Sequence, residues 1–191
     1  LPDEPNLDHA RMQQFGGSTI ITMGIRLILL DCFETLVELT DGIYRPRQGM
    51  REFLVHFASR TGVPVAVVSD AEQTEVERAI AEAGLGTYLV AVYHAGNAAE
   101  DLGGGRWRKR LDKPVADFHL RPEQAVFIGD SPLDAEAAKH YEVQFIRVPR
   151  SEDRQFSFAS LITGPSRYRS QEFNVKFLER YSKERKPDAG T

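Results

Sequence analysis

Residues 25–36 read Ile25-Arg-Leu-Ile-Leu-Leu30-Asp31-Cys-Phe-Glu-Thr-Leu36. Ile25 to Leu30 is a short apolar run broken only by Arg26. A run of that length suits a strand buried on both faces, as in a parallel sheet. Asp31 follows at once. Open α/β sheets place their ligands outside the carboxyl ends of such strands, so a carboxylate there is a candidate functional group. An Asp that only caps a turn would look the same on this stretch. The rest of the chain decides between the two.

Outward from Asp31, apolar runs alternate with helical patterns. Residues 49–61 place Met50, Phe53, Leu54 and Phe57 on one helical face, and Gly62 stops that helix. Val63–Val68 reads as a second strand, followed by Ser69 and Asp70. Residues 71–83 form a Glu- and Ala-rich helix with Val76, Ile80 and Ala83 inward. Tyr88–Tyr93 is a third β-rich run, Val115–Leu120 a short helix, and Ala125–Ile128 a fourth strand. Leu133–His140 is helical and Val143–Val148 is a fifth strand. This alternation predicts an α/β fold: a doubly wound, Rossmann-like parallel sheet with helices on both faces. Residues 32–47 are turn-rich, with Thr40-Asp41-Gly42 and Tyr44-Arg-Pro-Arg47. Residues 94–112, with Gly103-Gly-Gly105 and Arg106-Trp-Arg-Lys-Arg110, read as a flexible, locally basic loop.

The expected organisation is an N-terminal extension (1–24), a catalytic domain (25–150) and a C-terminal extension (151–191). Met23 is a candidate native start. In the last segment Phe156, Phe158, Leu161 and Ile162 would dock on the sheet domain, and Phe173–Arg185 would form a helix. The 191 residues, 41% of them hydrophobic, suffice for one domain with a full core. A net charge of −4 argues against a nucleic-acid partner. No apolar run reaches membrane-spanning length, so no membrane association is expected. Cys32 is the single cysteine, which suits a reducing cytoplasm and a small apolar packing role.

Four stretches in order resemble the motifs of the haloacid dehalogenase-like hydrolase superfamily. They are Asp31 with Thr35, Ser69 after the second strand, Lys113, and Ala125-Val-Phe-Ile-Gly-Asp130-Ser-Pro-Leu-Asp134. The resemblance spans about residues 25–148. Its most specific part is the last, an apolar strand followed by Gly-Asp and a second Asp four positions on. It implies that Asp31 is a nucleophile that forms an aspartyl-phosphate. A magnesium ion would be held by Asp31, Asp130 and the backbone carbonyl of Phe33, with Asp134 holding a metal-bound water or orienting the lysine. Ser69 would bind the substrate phosphate, helped by N–H groups at the start of the helix from Ala71. Lys113, ahead of Lys109 as its competitor, would neutralise the phosphoryl oxygens. Asp70, Arg45 and Arg47 are further candidates for contact with substrate.

Two departures bear on function. Most phosphatases of the superfamily carry a second Asp two residues after the nucleophile, as general acid and base. Here that position is Phe33. Glu34 replaces the usual Gly and, with Asp70, is a candidate substitute acid. The gaps between Asp31 and Ser69 and between Ser69 and Lys113 are each filled by a helix and a strand. Neither leaves the roughly 50 residues or more of a separate cap domain. An open site suits a macromolecular phosphorylated substrate, or closure by another subunit, a protein partner or the chain's own tail. The reading is a capless, magnesium-dependent phosphohydrolase. The alternatives are a catalytically weak phosphate- or protein-binding module on the same fold, supported by Phe33, and a dehalogenase-like hydrolase, disfavoured by the missing cap.

Overall fold

The computed structural model describes residues 24–162. In chain order, β1 (Leu27–Leu30) is followed by a hairpin of β2 (Val37–Thr40) and β3 (Ile43–Pro46). Helix α1 (Met50–Leu54) then runs into wider, π-type turns over Val55–Thr61. Next come β4 (Val65–Val68), α2 (Gln73–Ala83), β5 (Ala91–Tyr93) and the single turn α3 (Ala95–Ala98). A second hairpin follows, β6 (Ala99–Asp101) with β7 (Trp107–Lys109). Helix α4 (Asp112–Asp117), β8 (Ala125–Gly129), α5 (Pro132–His140) and β9 (Gln144–Arg147) complete the alternation, and a 3-10 turn spans Phe158–Leu161.

The central sheet has the order β5-β4-β1-β8-β9, and every pairing is parallel. The α/β fold expected from the alternation of runs is therefore present. After β1 the chain adds β4 and β5 on one side, then returns to add β8 and β9 on the other. The strand order reverses at β1 and β8, which makes their carboxyl ends the switch point where such sheets bind ligands. In register Leu30 stands beside both Val67 and Ile128, so Asp31, Ser69 and Asp130 emerge from three adjacent strands at nearly one level.

Strand periodicity divides the core into two layers. Ile28, Leu30, Val65, Val67, Val126 and Ile128 join Met50, Phe53 and Leu54 of α1 and Val76, Ala79 and Ile80 of α2. Leu27, Leu29, Ala66, Val68 and Phe127 face Val115 of α4 and Ala137 and Ala138 of α5. All four residues of β1 are wholly buried, which is why its sequence is a continuous apolar run. Cys32 is buried in the first layer, as an apolar packing residue.

The turn-rich residues 32–47 fold as the β2–β3 hairpin, whose turn residues Asp41 and Gly42 have φ of 54° and 76°. The hairpin is clamped to α2. The Tyr44 hydroxyl donates to Glu75 at 3.1 Å, its backbone N–H donates to Glu82 at 2.9 Å, and Arg78 lies over its ring. Residues 94–112, expected as a flexible loop, contain the β6–β7 hairpin. Its turn passes through Gly103, Gly104 and Gly105, all at positive φ, and pairs Glu100 with Arg108. Three successive glycines supply a left-handed turn as readily as flexibility.

Residues 151–162 belong to the same core as the sheet. Phe158 is fully buried against Phe53 and Phe156, with Leu161 and Ile162 packed beside them. Gly49, at φ 74°, sits where any Cβ would strike Ser157 and the backbone N of Ala159, and the Phe158 N–H donates to the Gln48 carbonyl at 2.9 Å. The helix expected at 173–185 and the extension 1–22 lie outside the described residues. Among the described residues no helix is long and apolar enough to cross a membrane.

Phe158→Ala tests whether this segment is integral to the fold. Truncating a fully buried phenylalanine costs about 3–5 kcal/mol. The urea midpoint should fall accordingly. A change below about 1 kcal/mol would mean that the segment is a dispensable appendage.

Candidate active site

Asp31, Asp130 and Asp134 converge at the switch point. One carboxylate oxygen from each lies within 4.8 Å of the others, and all three residues are buried. Like charges so close in a desolvated site repel strongly unless compensated. The compensation comes from Lys109, whose ammonium donates to Asp31 Oδ1 at 2.5 Å and to Asp134 Oδ1 at 2.6 Å. Asp70 Oδ1 stands 3.8 Å from the same nitrogen.

Lys109 holds the place that the sequence reading gave to Lys113. Lys113 is in α4, where its ammonium pairs with Asp117 on the exposed surface and takes no part in the carboxylate cluster. The reason is the β6–β7 hairpin. Reading 94–112 as loop left the lysine's position to its distance from the fourth strand. Once Trp107–Lys109 forms a strand packed along α5, Lys109 is the lysine delivered to Asp134.

Local structure explains how the fourth motif is assembled. Ser131, not Asp130, caps α5: its hydroxyl accepts from the Asp134 N–H at 3.1 Å and donates to Asp134 Oδ2 at 2.8 Å. Pro132 occupies the first helical turn, where no N–H is needed. Asp134 thus uses Oδ2 for the cap and Oδ1 for Lys109. Gly129 is required by this packing, since a Cβ there would lie 2.5 Å from Asp134 Oδ2. Asp130 is left for the site. Its Oδ1 accepts from the buried Thr35 hydroxyl at 3.2 Å and its Oδ2 from Arg150 Nε at 3.0 Å.

Ser69 is fully buried at the end of β4, and its Oγ accepts from the Ala71 N–H at 3.2 Å. Helix α2 begins at Gln73, later than the expected Ala71, so the Ala71 N–H is spent on Ser69. Asp70 is half exposed at the rim. Arg47 and Arg45, expected as substrate contacts, are elsewhere. Arg47 is buried, donates to the backbone carbonyls of Glu34 and Pro149, and lies over the Phe156 and Phe158 rings. Its guanidinium ties the turn after Asp31 to the 151–162 segment. Arg45 is exposed on β3, opposite Glu38.

Phe33 and Glu34 supply no spare acid beside Asp31, which leaves Asp70, 3.8 Å from the Lys109 ammonium, as the remaining candidate. The Phe33 ring packs on Tyr44 with centroids 5.4 Å apart. Glu34 adopts φ 59°, the left-handed conformation that explains a glycine preference here. Its carboxylate accepts from the Ser151 N–H and hydroxyl at 3.0 and 2.6 Å. Partial burial raises its pKa, but those bonds and Arg47 outweigh burial and hold the carboxyl below its ordinary value. A carboxylate stabilised as an anion is a poor proton donor.

Electrostatically the cluster is short of positive charge. Burial pushes the Asp31 carboxyl up to about 8, against the pull of Lys109 and with the added push of Asp134 and Asp130. Burial disfavours the Lys109 ammonium, yet Asp31, Asp134 and Asp70 together hold its pKa above the ordinary lysine value. Three buried carboxylates against one ammonium form an all-oxygen donor set with excess negative charge. These residues fit a hard divalent cation.

The site is a lysine-bridged carboxylate cluster at the switch point of a parallel sheet. A family model described as haloacid dehalogenase-like hydrolase matches residues 34–148, beginning just after Asp31 and covering more than half of the chain. The chain belongs to that family. Solved structures agree on the fold. A mutant of CbbY from Rhodobacter sphaeroides, in complex with xylulose-1,5-bisphosphate, aligns with TM-score 0.57 at 16% identity, over 71% of this chain and 91% of that one. A predicted phosphoglycolate phosphatase from Haemophilus somnus gives 0.56 at 15%, over 72% and 96%. A subfamily IA hydrolase from Geobacter sulfurreducens gives 0.53 at 16%, over 67% and 93%. No curated protein matched the chain.

Two outcomes follow from the cluster. Lys109→Met leaves Asp31 and Asp134 uncompensated, and breaking a buried pair in this way costs about 3–5 kcal/mol. Lys113→Ala removes only an exposed pair and should change stability by about 1 kcal/mol or less. Thermal melts of both variants without metal check the assignment, and equal effects would overturn it. The second concerns pH. Because the folded-state pKa of Asp31 is raised, folding favours its protonated form. The stability this contributes is present below the unfolded carboxyl value, near pH 4, and is lost as pH rises through about 8. Asp31→Asn removes that loss. In metal-free buffer the variant should gain on the wild type as pH goes from 5 to 8, and a pH-independent difference would contradict it.

Proposed function

We propose that this hydrolase is a magnesium-dependent phosphohydrolase that works through an aspartyl-phosphate on Asp31. The observation that carries the reading is the buried Asp31 carboxylate, held through one oxygen by Lys109 beside Asp130 and Asp134. Among the described residues no group hydrogen-bonds its Oδ2, which we take as the attacking atom. The phosphorylated class of substrate is carried over from the predicted phosphoglycolate phosphatase among the solved neighbours, as part of the proposal.

Each residue has a definite task in this scheme. Asp31 Oδ2 attacks phosphorus, a P–O bond forms, and the ester P–O bond breaks with its electron pair going to the leaving oxygen. Lys109 keeps Asp31 oriented and offsets charge that builds on the phosphoryl oxygens. Ser69, whose Oγ accepts from Ala71, keeps its hydroxyl proton for a phosphate oxygen. Asp31, Asp130 and the Phe33 carbonyl would hold a magnesium ion, which supplies Lewis-acid stabilisation of phosphoryl charge when bound. Asp134 fixes Lys109 from the other side. Water then attacks the aspartyl-phosphate, inorganic phosphate departs, and the Asp31 carboxylate is restored. The segments from Asp31 to Ser69 and from Ser69 to Lys109 contain the helices and hairpins already described. We therefore retain the capless reading, with an open approach to Asp31.

The weak point of the scheme is the proton. Phe33 cannot donate to a leaving alkoxide, and Glu34 is tied to Ser151. General acid help is worth about 10²–10⁴ in rate, or roughly 3–5 kcal/mol. Substrates whose leaving group departs as a stabilised anion lose little of it. Acetyl phosphate and nitrophenyl phosphate should be turned over with magnesium at least about 10²-fold faster than an alkyl phosphate. Phe33→Asp should narrow that gap. Equal rates on alkyl and nitrophenyl phosphates, with chemistry rate-limiting, would place an acid elsewhere. No turnover of acetyl phosphate at all would favour the second reading, a binding module on a hydrolase fold.

A further inference from the structure

A groove of ≈ 270 Å³ lies beside the carboxylate cluster, with walls that include Asp70, Leu102, Trp107, Arg108, Leu133 and Glu136. Asp70 is the residue that it shares with the surroundings of the cluster. Asp70 stands 3.8 Å from the Lys109 ammonium, Arg108 immediately precedes Lys109 on β7, and Leu133 immediately precedes Asp134 on α5. A cavity of about 150 Å³ already holds benzene, so this one has room for a substituted ring.

Its lining is unusual for a surface that only meets water. Trp107 and Leu133 are among the few large apolar side chains left exposed, at 52% and 57%, and both line it. The flat, polarisable face of an indole is suited to stacking on another ring. Arg108 is held in the wall by Glu100 at 3.5 Å and Glu136 at 3.6 Å, longer than good hydrogen bonds, and its Nε has no acceptor among the described residues. Arg106 and Arg108 both face Glu136, and with Asp70 the formal charges of the lining cancel. The groove favours a ring with a polar edge over a second anionic group.

We propose that this groove receives the aromatic leaving group of an aryl phosphate, stacked on Trp107 and packed on Leu133. The inference rests on the phosphohydrolase reading and names its substrate class. Two independent observations meet in it. Phe33 cannot protonate a leaving group, and a phenol, which ionises near pH 10, departs without that help more readily than an aliphatic alcohol. The groove restricts the enzyme to leaving groups that are flat and apolar. The ester bond breaks with its electrons on the phenolic oxygen, and the phenolate takes its proton from solvent after release. A small aryl phosphate and a phosphotyrosine side chain present this same chemistry.

Trp107 is the chain's only tryptophan, so its fluorescence reports on the groove directly. Phenylphosphonate, which cannot be hydrolysed, should change that fluorescence saturably in the full-length protein with magnesium. Its half-saturation should be at least about tenfold below that of methylphosphonate. Leu133→Arg, at an exposed position, should weaken the phenylphosphonate response about tenfold. Identical responses to the two phosphonates, or none, would overturn the proposal whether or not the protein turns over. In kinetics, Trp107→Ala should lower the ratio of kcat/KM for phenyl phosphate over acetyl phosphate about tenfold. An unchanged ratio with acetyl phosphate still hydrolysed would sink the groove and keep the phosphatase. Failure on acetyl phosphate would sink the phosphatase and leave the fluorescence arm to decide the groove. A phosphotyrosine peptide processed faster than phenyl phosphate would assign the ring to a protein substrate, and a slower one would assign it to small aryl phosphates.

Discussion

The contact on which the site depends is the Lys109 ammonium lodged between Asp31 and Asp134. Three carboxylates cannot share a buried corner of a sheet without a cation, because each loses hydration and gains a like-charged neighbour. Lys109 is itself buried and would lose its charge there without them. The lysine and the carboxylates therefore depend on one another. One ammonium stands against three carboxylates, and the pKa of Asp31 is raised first by burial and further by Asp134 and Asp130. A divalent cation would offset the excess negative charge of this donor set.

Much of the surrounding architecture follows from delivering those four side chains. The parallel order brings β1, β4 and β8 side by side, which places Asp31, Ser69 and Asp130 at one edge. The Ser131 cap points Asp134 back toward Gly129, and only glycine leaves room for it. The β6–β7 hairpin has one structural purpose visible in its contacts: to carry Lys109 along α5 into the cluster. Arg47 performs the corresponding service on the other side. It gathers the turn after Asp31, the loop at Pro149 and the aromatic segment around Phe158 into one unit.

What the sequence made legible and what it hid divide along a physical line. Buried parallel strands must be continuously apolar, so the five strands and their order of appearance could be read, along with Asp31, Ser69, Asp130 and Asp134 at their ends. The lysine could not be placed in the same way, because its position depends on a tertiary pairing. Gly103-Gly-Gly105 fits a loose loop and a tight hairpin equally, and only the pairing of Glu100 with Arg108 separates them. The one local hint was Trp107-Arg-Lys109, a β-compatible alternation directly after a glycine turn. Arg47 misled for a related reason. An arginine beside a candidate site reads as an anion contact, whereas here it is buried on backbone carbonyls whose location no local pattern reveals. Arg150 had no signal at all, since its contact with Asp130 joins the ends of two strands through the fold alone.

Phe33 shows how packing and chemistry compete at a single position. Its ring rests on Tyr44, and Tyr44 is the residue through which the β2–β3 hairpin grips α2. An aspartate at 33 would forfeit that aromatic contact, worth about 0.5–1.5 kcal/mol, and bring a fourth carboxylate toward a cluster already short of positive charge. Against this stands roughly 3–5 kcal/mol of barrier reduction from a general acid. The exchange is unfavourable for an enzyme that must expel alkoxides. It costs less for one whose leaving groups depart as stable anions, because only the help to the attacking water is then missing. A phenylalanine at this position is therefore consistent with a retained nucleophile, lysine and carboxylate pair, and the demand moves from the proton to the shape and acidity of the leaving group. The exposed indole of Trp107 stands where that demand would be met.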